Sequence, residues 1–116
     1  MRENHANFPG AAHGGVVACA LDEVMGQTVF VDSGALAVSL EARVEWLAST
    51  PINQSLTVKS QIILKIGRFF LVASELRSEQ KLCAKSSGLY FQPSARMMAK
   101  MLRLKQLPLE VHSWFR

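Results

Sequence analysis

The sequence is short of long apolar runs, of cysteine and, over most of its length, of one-sided charge. Each shortage excludes something. The longest uncharged apolar stretch of note, Val16 to Leu21, runs straight into Asp22 and Glu23, well short of the ~18 apolar residues that span a bilayer. Residues 1–13 are largely polar with a single Gly, not basic and then apolar as a secretory signal would be. The expectation is a soluble chain without a membrane span, working in the cytoplasm, or in the mitochondrial matrix if a targeting segment has been lost. Cys19 and Cys83 have no metal-ligand spacing and read as small buried hydrophobes, with a disulfide as the minor alternative. No metal is expected.

Charge is balanced where a nucleic-acid-binding face would need it not to be. Residues 1–94 carry eight basic and eight acidic side chains, so the net +4 comes from Arg96, Lys100, Arg103, Lys105 and Arg116 against Glu110. A nucleic-acid-binding domain spreads Lys and Arg over a folded face, so nucleic acid is not an expected partner. Residues 95–116 read as a basic terminal helix behind one domain covering 1–94, since 116 residues suffice for a single core.

What is present has a clear order. Pro9-Gly10 and Gly14-Gly15 punctuate a turn-rich start. From Gly15 to about Val31 the composition is helical, and its apolar residues go all the way round, which predicts a helix wrapped by protein. Asp32-Ser33-Gly34 ends it. Leu36, Val38, Leu40, Ala42, Val44 and Trp46 then alternate with Ser39, Glu41, Arg43 and Glu45, a strand with one buried face. After Pro51, Leu56, Val58, Ile62, Leu64 and Ile66 repeat the even-numbered pattern. Gly67-Arg68 and Ser78-Glu79-Gln80 mark turns into Phe69–Leu76 and Leu82–Phe91. One all-round apolar helix followed by about four long antiparallel strands predicts an α+β fold, a curved sheet rolled around a central helix.

The chemistry-bearing segment is Asn7-Phe8-Pro9-Gly10-Ala11-Ala12-His13-Gly14-Gly15, continuing to Asp22-Glu23. Gly14 and Gly15 at a helix start leave backbone N–H groups open to a ligand, with the helix dipole behind them. A carbonyl can approach closely there and be polarised as in an oxyanion hole, although paired glycines also serve plain turns. Asp22 and Glu23 interrupt an apolar helix, where an unpaired carboxylate is costly to bury. Such an acid is paired, faces a cleft, or works as a general base. His13 and Asp22 are nine residues apart, roughly 180° and ~13 Å along an ideal helix. One chain cannot bring them together, but a two-fold dimer can.

Together, the His-Gly-Gly, the Asn six residues before it and the acid nine residues after it resemble the hotdog-fold acyl-CoA thioesterases, PaaI-like branch. Pro51, Gly67-Arg68 and Ala84-Lys85-Ser86-Ser87-Gly88 also fit, and the likeness covers about residues 7–92. The resemblance implies a hotdog fold, a homodimer or homotetramer, and hydrolysis of acyl-CoA to free acid and CoA. It implies no cofactor beyond the CoA of the substrate. Carried over, Asp22 is base or nucleophile, Gly15 supplies the oxyanion amide, and Asn7 and His13 orient the reacting groups. Gly14, Glu23, Ser39, Lys85, Ser86 and Ser87 would line the substrate path. Two departures stand out. Many relatives place Ser or Thr where Ala37 stands here, with Ser39 next on the same strand face, and relatives carry a strand before the Asn that is expected to be missing here, where six residues precede Asn7. These departures motivate an alternative, a non-catalytic acyl-CoA-binding or regulatory hotdog protein.

Overall fold

The computed structural model describes residues 6–8, 10–79 and 81–104. Its long helix, α1, runs Gly14–Ser33. His13 caps its start, and Gly34, in the left-handed region at φ 73°, donates its N–H back to the Phe30 carbonyl. That is where Asp32-Ser33-Gly34 was expected to end it, glycine being the residue that takes this conformation without strain.

Ahead of α1 two short strands, β1 (Ala6–Phe8) and β2 (Ala11–Ala12), pair antiparallel. Four longer strands follow: β3 (Val38–Trp46), β4 (Leu56–Ile66), β5 (Phe69–Ser78) and β6 (Lys81–Phe91). They form one antiparallel sheet in the order β3-β6-β5-β4. β4, β5 and β6 are consecutive hairpins, while β3 crosses to pair with β6. The helix lies on one face of this curved sheet, which is the hotdog arrangement. After β6, α2 (Ala95–Leu104) carries Arg96, Lys100 and Arg103, and Ser94 caps its start through Met97 N–H. Residues 105–116 lie outside the described residues.

The core forms where the helix meets the sheet. Val17, Leu21, Met25 and Val29, spaced by four, are the buried residues of α1. They meet the inward residues of β5 and β6 in two clusters. Met25 and Val29 pack with Phe70, Val72 and Tyr90, and Val17 and Leu21 with Leu76, Cys83 and Ala84. Between the clusters Ser74 and Ser86 meet across the strands at 2.7 Å, satisfying each other in the interior. Each fully buried Leu, Met or Phe contributes roughly 1.5–3 kcal/mol.

Three expectations are corrected. The curved sheet packs on one stripe of α1, and Cys19, Phe30 and Val31 on its other side stand exposed, Val31 at 77%. Cys19 is thus no buried hydrophobe, whereas Cys83 is. By length and composition alone α1, 20 residues at hydropathy 1.3, is also apolar enough to cross a bilayer, because isolated charges are diluted over a window of that size.

The third correction concerns the strands. The register of β3 shifts between Ser39 and Glu41, and that of β4 between Ile62 and Leu64. An extra residue reverses which side chains face the core. Ala35 and Ala37 therefore pack inward, and Leu36 and Leu40 are exposed. On β4, Leu64 and Ile66 turn outward beside Phe69 and Leu71, leaving an apolar end on the outer face of the sheet.

Candidate functional site

The start of α1 is held from three sides. Gly10, at φ 80°, turns the chain between β1 and β2, and Ala12 N–H donates to the Thr50 carbonyl at 2.8 Å. Ala11 bridges to Pro51, so the residues before the helix are clamped to the residues after β3. Trp46, the last residue of β3, donates its indole N–H to the Gly14 carbonyl at 3.0 Å. A Cβ on Gly14 would stand 3.2 Å from that indole nitrogen, so the glycine permits the close approach.

His13 is the N-cap, and its Nδ1 accepts from the Gly15 N–H at 2.9 Å. The amide that the resemblance assigns to an incoming carbonyl is therefore taken up by the neighbouring imidazole. Asn7 sits in β1, antiparallel to the residues that lead into His13, and its side chain lies outside the described residues, as do His5 and His112.

Asp22 is half-buried on α1, and the sheet reaches up to it. The Tyr90 hydroxyl stands 2.5 Å from Asp22 Oδ1 and 2.9 Å from the Asp22 carbonyl oxygen. Burial first, then the hydrogen bond and the charge of Asp22, push the Tyr90 hydroxyl far above its ordinary ionisation range. The side chain is thus a proton donor throughout the neutral range. Ser39 lies directly across from Tyr90 in the β3–β6 register, while Ala37 packs into the core. The hydroxyl of β3 on the Asp22 side of the sheet is that of Ser39. Glu23 points away, exposed, with Gln27 Nε2 3.5 Å from its Oε1.

The structure does not bring all the expected residues together. His13 and Asp22 sit nine positions apart with unbroken helix from Gly14 onward, about 13 Å of rise. Lys85 and Ser87 lie on the face of the sheet turned away from α1, where Lys85 Nζ pairs with Glu45 at 3.6 Å. Ser86 faces inward, buried between Ser74 and the Met25 sulfur. Among the described residues no three His, Cys, Asp or Glu side chains converge as a metal site would require. Sequence reasoning missed Trp46 and Tyr90. The available signal was that each is a large ring with a polar tip, and such a tip takes a partner when the ring is buried, as that of Tyr90 is.

No protein-family model matches the sequence, and no curated protein matches it. Solved structures do match. A Streptococcus mutans protein bound to acetyl CoA superposes with a TM-score of 0.75, at 21% identity over 81% of this chain and 76% of that one. Zebra fish thioesterase superfamily member 2 gives 0.74, at 20% identity over 80% and 70%. A phenylacetic acid degradation-related protein from Ralstonia eutropha gives 0.73, at 20% identity over 78% and 70%. These identities show the fold: the chain has the hotdog fold, which solved thioesterase-superfamily proteins share.

Proposed function

We propose that this hotdog chain hydrolyses acyl-CoA thioesters, in a homo-oligomer whose sites combine the His13-Gly14-Gly15 start of one α1 with Asp22 of another. The observation that carries the reading is a half-buried carboxylate in a mostly apolar helix, tied to the sheet by Tyr90, with Ser39 across from Tyr90 in the strand register. The fold's likeness to thioesterase-superfamily structures supports it, one of the similar proteins being bound to acetyl CoA. The uncovered apolar side of α1 and the apolar end of the outer sheet face supply surface for a second copy to bury.

In the proposed reaction Asp22 takes a proton from water as the oxygen attacks the thioester carbon. The carbonyl oxygen gains negative charge and accepts from the Gly15 N–H, with the helix dipole behind it. The carbon–sulfur bond then breaks, the CoA thiolate takes the proton, and a free acid leaves. His13 must turn its ring off the Gly15 amide for the carbonyl to dock. A thiol-release assay over short, long and aryl acyl-CoAs tests the reading, which expects turnover of at least one class and none after Asp22→Asn.

Gly15→Val separates chemistry from folding at the helix start. A Cβ there would stand 3.1 Å from His13 Nδ1, displacing the cap and crowding the carbonyl position. Losing a cap costs about 1 kcal/mol, or about 4–8 °C in a domain of this size. Activity should fall by about 10²–10³-fold, the effect of losing one oxyanion donor. Loss of melting temperature in proportion to activity would mean that the glycines serve only the turn.

The same His13–Gly15 contact favours a second reading, an acyl-CoA-binding protein without turnover, because the amide is already occupied. Tight acyl-CoA binding by calorimetry, with no thiol released over hours, would select it.

A further inference from the structure

Tyr90 is the only tyrosine of the chain, and its ring lies in a slot made by two glycines. A Cβ on Gly88 would stand 2.8 Å from the ring, and one on Gly26 3.7 Å from it. Gly88 precedes Tyr90 by two on β6, and Gly26 follows Asp22 by four on α1, about one helical turn. The ring thus passes between sheet and helix, 2% exposed, and delivers its hydroxyl to Asp22.

Resting on the proposed role of Asp22, we propose that Tyr90 is a positioning residue of the reaction, holding Asp22 Oδ1 so that Oδ2 takes the proton from water. A carboxylate left alone turns broadly about its terminal bond. A hydroxyl 2.5 Å away fixes that rotation, and hydrogen bonds to an ionised acceptor are about twice as strong as neutral ones. Among the described residues no protein donor reaches Oδ2. The raised ionisation of Tyr90 keeps its proton in place, so it donates and does not compete as a base.

The charged groups on the surrounding elements leave this assignment to Tyr90. Glu23, next on α1, is exposed. Glu41 of β3 pairs in register with Leu89, on the far face. Lys65 of β4 lies over the Phe70 ring, 5.4 Å from its centroid. On β5 and β6 the same side offers Phe70, Val72 and Gly88.

A core tyrosine whose hydroxyl merely found an acceptor would give the same picture, and two measurements separate the readings. Tyr90→Phe keeps the ring and removes the donor. Positioning predicts a fall in kcat of roughly tenfold or more with KM within about twofold, the size of one lost bond to a charged group. A lower melting temperature with kcat unchanged overturns the proposal.

The second measurement is independent of turnover and needs no variant at position 90. Growth on 3-fluorotyrosine labels Tyr90 alone, and the fluorine shift against pH reads its ionisation. In Asp22→Asn the midpoint should move to lower pH, because the negative charge is gone while burial remains. Identical midpoints in the two proteins overturn the contact and the positioning role with it. Separated midpoints in a protein that hydrolyses no acyl-CoA leave the Tyr90–Asp22 bond standing and overturn the enzymatic reading, and with it the positioning role.

Discussion

Asp22→Asn removes thioester hydrolysis by about 10²–10⁴-fold, the usual contribution of a general base, while fold and assembly persist. Asparagine fills the same volume, and its Oδ1 can still accept from the Tyr90 hydroxyl that meets Asp22 Oδ1 in the native chain. The tie between α1 and β6 therefore survives, and only the ability to take a proton is lost. Matching circular dichroism spectra and melting temperatures establish the intact fold, and initial rates on the best acyl-CoA measure the loss. If the variant keeps more than about a tenth of the native rate, Asp22 is not the base. Glu23 comes next in sequence, but it faces solvent beside Gln27, so the assignment of the whole site would then need revising.

The sequence shows where the elements lie but not how they twist. Alternation from Leu36 to Trp46 and from Leu56 to Ile66 marked two strands, and the Gly67-Arg68 turn marked their neighbour. What alternation cannot show is a bulge. One extra residue near Leu40 and another near Ile63 reverse the face of half of each strand, and apolar residues continue on both sides of the break. The pattern therefore stays regular while the geometry changes. The helix was legible by its composition and its Gly34 cap. Its all-round apolarity is satisfied on one side by this chain and leaves the other side uncovered, which a single sequence cannot distinguish from full burial.

Within the site, residues contiguous in sequence were legible and those meeting through the fold were not. His13, Gly14 and Gly15 form a local unit, and Asp22 stands out as a carboxylate in an apolar helix. Tyr90 reaches Asp22 across 68 positions, and Trp46 reaches Gly14 across 32. Both contacts depend on the strand order β3-β6-β5-β4, which places β6 at the centre, under the helix. Lys85, Ser86 and Ser87 show the converse. They are adjacent in sequence, yet the strand sends Ser86 inward and its neighbours to the far face.

In the proposed enzyme one working site needs two chains, because an unbroken helix separates His13 from Asp22 by about 13 Å. Mixing two inactive variants tests it most directly. One chain carries Asn7→Ala and His13→Ala, the other Asp22→Asn, and each alone is nearly inactive. After co-refolding in equal amounts, half of random dimers pair one chain of each kind, and each such dimer has one site free of all three substitutions. Counting sites under two-fold symmetry, about a quarter of native activity returns. Activity that stays at background, although mixed dimers are shown to form by mass spectrometry, would contradict the shared site and place the chemistry within a single chain.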